Sequence, residues 1–362
     1  MTEYKRRESR KIQVGRVAIG GNAPISIQSM TNTNTMDFAA TLAQVRRLEE
    51  AGCDVVRITV PNPEAAKCIY YIKDAGVEVP LVADIHFDYR AALFALEAGV
   101  DKIRINPGNI GGEDRVKELA DAARRKNVPI RIGVNSGSLE KSILAKHGAP
   151  TAAALCESAM YHTSLLEKFD FNDIAISIKA SSVMTTIEAN RLLARTCNYP
   201  IHIGVTEAGG EGMGTVKSAI GIGTLLAEGI GDTVRVSLTA DPVKEIAAAE
   251  KILDSLGLSQ KPRLNIVSCP TCGRTRISLI ELLAKLEDAI DAEELRCVPV
   301  TVALMGCAVN GPGEAREADI GIAGGDGDAL LFYKGVTAGK IPQEMIVPRL
   351  IEEIKAFRDA NI

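Results

Sequence analysis

The amino-acid sequence predicts an α/β fold in which a (β/α)8 TIM barrel is followed by a small α+β domain. Short β-branched runs alternate with longer helical segments from about residue 25 to about residue 257. The alternation ends at the connector SLGLSQKPRLN (255–265), which contains Gly, Ser and Pro, and about 100 residues follow it. We therefore expect residues 1–258 to form the barrel and residues 259–362 to form the second domain.

Eight β-branched runs are candidates for the barrel strands. They are ISIQSM (25–30), DVVRITV (54–60), PLVADI (80–85), DKIRIN (101–106), PIRIGV (129–134), DIAISIK (173–179), PIHIGV (200–205) and DTVRVSL (232–238). Eight βα units in about 235 residues fit the size and order of a closed barrel. The alternative, an open doubly wound sheet, usually has a G-x-G-x-x-G after its first strand, and this sequence has none there.

The segments between these runs have the spacing of amphipathic helices. Stretches such as TLAQVRRLEEAGC and AALFALEAGV place apolar residues three and four positions apart. Several end at Gly just before the next run, as in AGCDVV and AGVDKI, where Gly is the expected C-cap. In the second domain we expect strands at NIVS, VPVTVALMG, ADIGIAG and DALLFYKG, and helices across RISLIELLAKLEDAI and QEMIVPRLIEEIKAF.

The composition excludes several classes of function. The 42 basic and 46 acidic residues give a formal net charge of −4, which argues against a nucleic acid or a membrane surface bound through bulk charge. The chain has no Trp and 4% aromatic residues, so base-stacking platforms are not expected. MTEYKRRESRKIQVG at the start lacks an apolar segment, and no run of about 18 apolar residues follows. We therefore expect a cytoplasmic protein without membrane spans.

Charged and polar side chains are concentrated at the carboxyl ends of the expected strands, where barrel enzymes carry their chemistry. The binding candidates are Arg57, Arg104, Asn106, Arg131, Asn135, Lys179, Arg235 and Ser237. Because cations that converge without a partner are costly, we expect a phosphorylated, strongly anionic substrate. Internal ion pairs or outward-facing solvated side chains are the alternative. The Gly-rich segment EAGGEGMGTVKSAIG opens a helix after the seventh run and adds a candidate anion site.

Three more ionisable residues lie at the same ends of the strands. Asp84 and His86 close the third run in ADIH, and Glu207 follows the seventh in GVTEAGG. The Asp84-x-His86 pair fits a metal pair, an acid–base pair or a structural hydrogen bond. The metal is the least favoured of the three, because no third ligand lies nearby in sequence.

The cysteines fall into two groups. Four of them lie in or beside expected helices and are interpreted as packing residues: Cys53, Cys68, Cys156 and Cys197. Cys269 and Cys272 form a C-x-x-C after a strand, and a distant Cys307 can complete three corners of a metal site. A fourth ligand from Cys297 would give a structural zinc site, whereas Glu314 would give an iron–sulfur cubane with one exchangeable iron. A plain turn is the third interpretation, and spacing does not separate zinc from iron–sulfur.

The motifs SCPTCGR and MGCAVNGPGEAREADIGIAG resemble the GcpE family of bacterial 4-hydroxy-3-methylbut-2-enyl diphosphate synthases. The resemblance covers nearly the whole chain, because it also includes SIQSMTNT, RITVPN, ADIHFDYRAA, KIRINPGNIG, GVNSGSLE and GVTEAGG. It implies a barrel and a ferredoxin-reductase-like second domain, without the middle domain of plant-type forms. It also implies a head-to-tail homodimer in which the second domain of one subunit closes over the barrel mouth of the other.

The resemblance further implies a reaction and a cofactor. Members of the family reduce 2-C-methyl-D-erythritol 2,4-cyclodiphosphate to 4-hydroxy-3-methylbut-2-enyl diphosphate, with two electrons and loss of water, in the non-mevalonate isoprenoid pathway. They hold a [4Fe–4S] cluster by three cysteines and a glutamate, which here match Cys269, Cys272, Cys307 and Glu314. Electrons arrive one at a time, so a flavodoxin or ferredoxin partner is expected.

The same resemblance gives the strand-end residues their expected roles. The residues that hold the diphosphate are Arg57, Arg104, Arg131 and Lys179, with help from Asn106, Asn135, Arg235 and Ser237. Glu207 is the expected proton donor, and Asp84 and His86 position the substrate or supply protons. Glu314 is expected to move away as the substrate oxygen reaches the iron. A pteroate-synthase-type barrel enzyme and a non-catalytic zinc-stabilised binding protein are the rival interpretations.

Overall fold

The computed structural model describes residues 4–106, 109–261, 263–307, 313 and 316–361. The chain divides into two compact units, Met1–Ser259 and Gln260–Ile362. None of the described helices has the length and apolarity that crossing a bilayer requires.

A β-hairpin precedes the barrel. Strands β1 (Ile12–Val14) and β2 (Val17–Ile19) pair antiparallel. The apolar side chains of the hairpin pack against residues near the amino ends of barrel strands, so they fill the floor of the barrel. This small core consists of Ile12, Val14, Ile19, Val55, Val82 and Ala175. The sequence patterns do not predict the hairpin, because each strand has only three residues.

Eight parallel strands in the described part of the chain form the barrel, so the fold prediction is confirmed. They are β3 (Ser26–Met30), β4 (Val55–Thr59), β5 (Leu81–Asp84), β6 (Lys102–Ile105), β7 (Ile130–Asn135), β8 (Ile174–Lys179), β9 (His202–Ile203) and β10 (Thr233–Val234). Their order in the sheet is β8-β7-β6-β5-β4-β3-β10-β9. A parallel bridge between Ile176 and Ile201 brings the two edges together.

Strands β9 and β10 are shorter than the runs expected at 200–205 and 232–238. After β10 the backbone N–H of Leu238 donates to Glu245 Oε1 (3.1 Å), and that of Thr239 donates to the Gly209 carbonyl (3.0 Å). These bonds take the chain away from the neighbouring strands. Residues 235 and 237, expected on the eighth strand, therefore follow it instead.

Helices connect the strands and cover the outside of the barrel. They are α1 (Phe38–Glu50), α2 (Lys67–Asp74), α3 (Tyr89–Glu97), α4 (Glu113–Lys126), α5 (Lys141–His147), α6 (Ala152–Glu167), α7 (Val183–Thr196), α8 (Glu211–Ala227) and α9 (Pro242–Ser255). The side chains of Asp37, Thr151 and Ser182 cap α1, α6 and α7. Apolar helix faces pack against the outer faces of the strands in one continuous core.

The second unit is built on a mixed sheet. Its strands, in spatial order, are β11 (Asn265–Ser268), β12 (Thr301–Met305), β13 (Ile320–Gly324), β14 (Asp328–Tyr333) and β15 (Val336–Pro342). The first three run parallel, and β14 and β15 are antiparallel to their neighbours. Helices α10 (Leu279–Ala292) and α11 (Ile346–Asn361) share a core with the sheet. The sequence patterns do not predict β15, because its residues are mostly exposed and lack apolar alternation.

Candidate functional site

A cavity of about 130 Å³ lies at the carboxyl ends of the barrel strands. Its lining residues are Arg57, Asp84, His86, Arg104, Arg131, Gly133, Asn135, Ser177, Lys179, Thr206, Arg235 and Ser237. The structure thus brings together most of the side chains that the sequence places at the mouth. It adds Ser177 and Thr206, small residues that gave no signal in the sequence, and Gly133, which the two-residue period of its strand places on the same face as Arg131 and Asn135.

Strand register explains why these side chains meet. Asp84, Arg104 and Arg131 are paired across β5, β6 and β7. Asn135 is paired with Lys179 across β7 and β8. Residues in register on parallel strands share a face of the sheet, and this face is the inside of the barrel.

Asp84 is a buried carboxylate among cations. Its Oδ1 accepts a hydrogen bond from Arg104 Nη1 (3.1 Å), and its Oδ2 lies 3.7 Å from Arg57 Nε and 3.8 Å from His86 Nε2. Burial by itself raises the pKa of Asp84, but the positive charges around it, Arg57 first, outweigh burial and lower the pKa to about 2. Asp84 is therefore ionised at neutral pH and orients two guanidinium groups.

Glu245, in the first turn of α9, forms an ion pair with Arg235, another cation of the cavity. Arg235 Nε donates to Glu245 Oε2 and Arg235 Nη2 to Oε1, both at 3.1 Å, which makes a bidentate pair. Ser29 Oγ also donates to Glu245 Oε2 (2.9 Å). Sequence reasoning missed Glu245, because a glutamate in the first turn of a helix normally interacts with the helix dipole and solvent. Its signal in the sequence was its place in the first turn of the helix that follows the eighth expected run.

The cavity carries an excess of positive charge. Arg131 is 1% exposed, and its Nε and Nη2 have no hydrogen-bond partner among the described residues. Burial, together with repulsion from neighbouring guanidinium groups, lowers the pKa of Arg131 well below its usual value. Burial, and after it the charge of Arg235, likewise lowers the pKa of Lys179. Since buried cations without partners are costly, this arrangement favours an anionic ligand.

Met30, at the end of β3, contacts two of the cavity cations, Arg57 and Arg235. Its Sδ lies 2.8 Å from Arg57 Nη2 and 3.7 Å from Arg235 Nη1. Burial lowers the pKa of Arg57 to about 10, against the opposing effect of Asp84. A thioether is a weak acceptor, so Arg57 keeps hydrogen-bonding capacity for a stronger one. The sequence gave no signal for Met30, which reads as one more apolar strand residue.

Two expected site residues are not among those that line the cavity. Asn106 is buried directly after β6. Glu207 is exposed on the loop between β9 and α8, where its φ of 54° is left-handed. The Gly-rich segment begins on the same loop and continues into α8, whose N-cap is Gly210. The adjacent Glu211 pairs with Lys244 (2.5 Å). The roles of Asn106 and Glu207 stay predictions.

The cysteine motif lies at one edge of the second unit's sheet. Because β11 and β12 are parallel and pair Ser268 with Leu304, Cys269 and Cys307 leave the sheet at the same end. The backbone N–H of Gly306 donates to Cys269 Sγ (3.3 Å). The turn at Cys272 is closed by its own N–H, which donates to Thr275 Oγ1 (3.0 Å).

The donor set fits thiolate ligands. Backbone N–H groups point at two of the sulfurs: that of Gly306 at Cys269 and that of Arg274 at Cys272 (3.5 Å). In iron–sulfur proteins, hydrogen bonds to the sulfurs help to set the reduction potential of the cluster. No group of three metal-binding side chains is assembled among the described residues. Glu314, the expected fourth ligand, lies outside the residues that the structure describes.

Cys297 does not fit the zinc alternative. It ends a short 3-10 helix before β12, whereas Cys307 follows that strand. The five residues of β12 therefore separate the two cysteines, at about 3.3 Å per residue. Both sulfurs cannot bind one zinc ion in this arrangement, since zinc–sulfur bonds measure about 2.3 Å.

Two family models match the chain. Residues 9–250 match the GcpE TIM-barrel domain, and residues 265–356 match the GcpE protein C-terminal domain. Curated relatives named 4-hydroxy-3-methylbut-2-en-1-yl diphosphate synthase (flavodoxin) include that of Ruminiclostridium cellulolyticum, 58% identical over 97% of this chain and 98% of its own. That of Clostridium perfringens is 54% identical over 97% and 99%.

A solved structure matches about two thirds of the chain. Type I 3-dehydroquinate dehydratase from Clostridium difficile superposes with a TM-score of 0.51 at 15% identity, over 69% of this chain and 98% of that one. At this level of identity the likeness concerns the fold.

The resemblance of the sequence motifs to the GcpE family is confirmed by the family models and the curated relatives.

Proposed function

Because the chain belongs to the GcpE family, we propose that it reduces 2-C-methyl-D-erythritol 2,4-cyclodiphosphate to (E)-4-hydroxy-3-methylbut-2-enyl diphosphate. The reaction opens the ring at a carbon–oxygen bond, takes up two electrons and two protons and releases one water. The observation that carries the substrate class is the barrel-mouth cavity, on which five cationic side chains converge. Flavodoxin is the donor in the relatives' names, and we propose it here in preference to ferredoxin.

The cations bind and orient the cyclic diphosphate. Arg131 offers two buried donor groups without a partner among the described residues, so it is suited to a phosphate oxygen at the base of the cavity. Arg57 and Arg104 are aimed by Asp84, and Arg235 by Glu245. The remaining donors proposed around the ligand are Lys179, Asn106, Asn135 and Ser237.

The two carboxyl groups have different proposed roles. Asp84 is ionised far below neutral pH, as its low pKa shows, so it positions cations rather than supplying a proton. We propose Glu207 as the proton donor, since it lies on an exposed loop at the carboxyl end of β9. His86 is half-exposed at the cavity and within 3.8 Å of Asp84, which suits a positioning role.

The proposed cofactor is a [4Fe–4S] cluster on Cys269, Cys272, Cys307 and Glu314. When bound, it supplies electrons singly and a Lewis-acidic iron. The protein's contribution is to present Cys269 and Cys307 from adjacent strand ends and to direct N–H groups at the sulfurs. We also propose a cytoplasmic location, because a reducing compartment keeps such cysteines as thiols.

The rival interpretations account for fewer observations. A pteroate-synthase-type enzyme needs the barrel but not a second unit that carries Cys269 and Cys272. A zinc-stabilised binding protein explains those cysteines but not the cations on the barrel strands. Nor does the position of Cys297 favour zinc.

Metal content tests the proposal. The wild-type protein, purified without oxygen, is expected to be brown, to contain about four irons and four sulfides per chain, and to turn over the cyclic diphosphate with reduced flavodoxin. Cys272→Ser should lose the iron and the activity. The matched control, Cys297→Ser, changes a cysteine at the other end of β12 and should keep both. A colourless wild-type protein with one zinc per chain would contradict the proposal.

A further inference from the structure

A glycine occupies the middle of β7, where a side chain would normally stand. Gly133 lies between Arg131 and Asn135 in the sequence RIGVN, so the two-residue period points it into the cavity. Glycine weakens a strand interior by roughly 0.5–1 kcal/mol relative to alanine. Glycine in a strand often marks a place where another group comes very close to the backbone.

The group that comes close is the guanidinium of Arg104. A Cβ atom built on Gly133 would lie 2.8 Å from Arg104 Nη2, closer than real Cβ atoms approach, and 3.0 Å from its Cζ, a tight contact. In the structure Nη2 donates instead to the Gly133 carbonyl (3.2 Å), while Nη1 donates to Asp84 (3.1 Å). The guanidinium of Arg104 therefore lies between the backbone of Gly133 on one side and the carboxylate of Asp84 on the other.

We propose that Gly133 is a positioning residue that sets the orientation of Arg104 toward the anionic ligand. With no side chain at residue 133, the guanidinium lies across β7 and keeps both hydrogen bonds. A methyl group there would push it off the backbone and away from Asp84. The identity of the ligand as a diphosphate rests on the proposed function, whereas the contact itself does not.

Gly204, a second glycine beside a cavity cation, shows how a glycine needed for the fold differs from one that positions a side chain. A Cβ on Gly204 would also crowd Lys179 Nζ, at 2.8 Å, but it would overlap the backbone carbonyl of Arg235 as well. Relief there requires a backbone shift. At Gly133 the crowded atoms all belong to the end of the Arg104 side chain, so an added methyl displaces that side chain and weakens its contact with Asp84 without requiring a backbone shift.

The test measures binding of inorganic pyrophosphate to the full-length protein by titration calorimetry, with thermal unfolding followed in parallel. Gly133→Ala is expected to weaken pyrophosphate binding about tenfold, or about 1.4 kcal/mol, while the protein still unfolds in one cooperative transition, at a temperature lowered by the weakened contact between Arg104 and Asp84. The matched control is Gly137→Ala, in the loop after β7, where a Cβ has no atom within 4 Å. It should bind as the wild type does.

A double-mutant cycle isolates the contact with Arg104. In an Arg104→Ala background, Gly133→Ala is expected to cause little further loss, because the atoms it displaces are gone. If Gly133→Ala alone does not fold, the double variant should, since the overlap is removed. Unfolding of both would overturn the proposal.

The remaining outcomes separate this proposal from the proposed function. Equal binding by Gly133→Ala and the wild type, or losses that simply add in the cycle, would overturn the role of Gly133 and leave the anion site standing. A wild-type protein that does not bind pyrophosphate would overturn the diphosphate site, and the inference about its orientation with it.

Discussion

Asp84 links the chemistry of the cavity to the stability of the barrel. Its pKa is lowered from 3.8 to about 2 because the neighbouring cations outweigh the effect of burial. A carboxyl group whose pKa is lower in the folded than in the unfolded chain stabilises the fold above its unfolded pKa. That stabilisation is lost as the pH falls from about 4 to about 2.

Replacing Asp84 tests this linkage. Asp84→Asn is expected to lower the free energy of unfolding at pH 7 by about 2 kcal/mol, since it removes the charge that stabilises Arg57 and Arg104. Urea unfolding across pH 7 to pH 3 measures the effect, and the difference from the wild type should shrink below about pH 4. Asp74→Asn, at an exposed position on α2, is the control and should change little. A constant difference at every pH would argue against an electrostatic origin.

Sequence periodicity was sufficient to find the cations, because in a barrel each strand end with an inward charged residue contributes to one mouth. Arg57, Arg104 and Arg131 each needed only their place late in a β-branched run. The carboxylate partner of Arg235 was not recognisable, because Glu245 lies on α9, and how that helix packs on the barrel is a tertiary property. Met30 was missed for a similar reason: an apolar strand residue shows its contact with Arg57 only in three dimensions.

At the scale of elements, the amino-terminal hairpin is part of the barrel core. Ile19 is fully buried on β2 and belongs to the cluster that fills the barrel floor. Ile19→Ala should therefore lower the free energy of unfolding by about 2–5 kcal/mol, from lost burial and the cavity left behind. Denaturant unfolding measures this, and Gln13→Ala, at an exposed position of β1, should cost only a few tenths. An effect at Ile19 no larger than at Gln13 would mean that the hairpin does not support the barrel.

Elements were predicted well where burial repeats regularly. The buried strands β4 to β8 are recognisable by their runs of β-branched residues. The helices between them are recognisable by apolar residues three and four positions apart. The strands of the hairpin are short and β15 is exposed, so the sequences of these strands show no hydrophobic pattern that would predict their backbone pairing. The expected run at 232–238 was too long for a different reason: after β10 the backbone N–H groups of Leu238 and Thr239 donate to Glu245 and to the Gly209 carbonyl.

At the scale of the whole molecule, each unit carries a different half of the proposed chemistry. The anion cavity belongs to Met1–Ser259, and Cys269 and Cys272 belong to Gln260–Ile362. We propose the head-to-tail homodimer that the family resemblance implies, in which each working site takes one unit from each subunit.

Mixing two inactive variants tests that assembly. Arg131→Met removes a cavity cation, and Cys272→Ser removes a proposed cluster ligand. If working sites combine units from two subunits, dimers exchanged between the two variants should recover about one quarter of wild-type turnover, from one working site in each mixed dimer. Recovery is measured after subunit exchange, with each variant alone as the control. No recovery despite proven exchange would place both halves of the site in one chain.

The gathering of like charges at the barrel mouth has a consequence for the lifetime of the protein. Folding without ligand brings five cations together, so an anion that binds only the folded state shifts the folding equilibrium. At a hundredfold excess of ligand over its dissociation constant, that shift amounts to about 2.7 kcal/mol. The supply of substrate then sets not only the rate of turnover but also the fraction of molecules exposed to proteolysis at any moment.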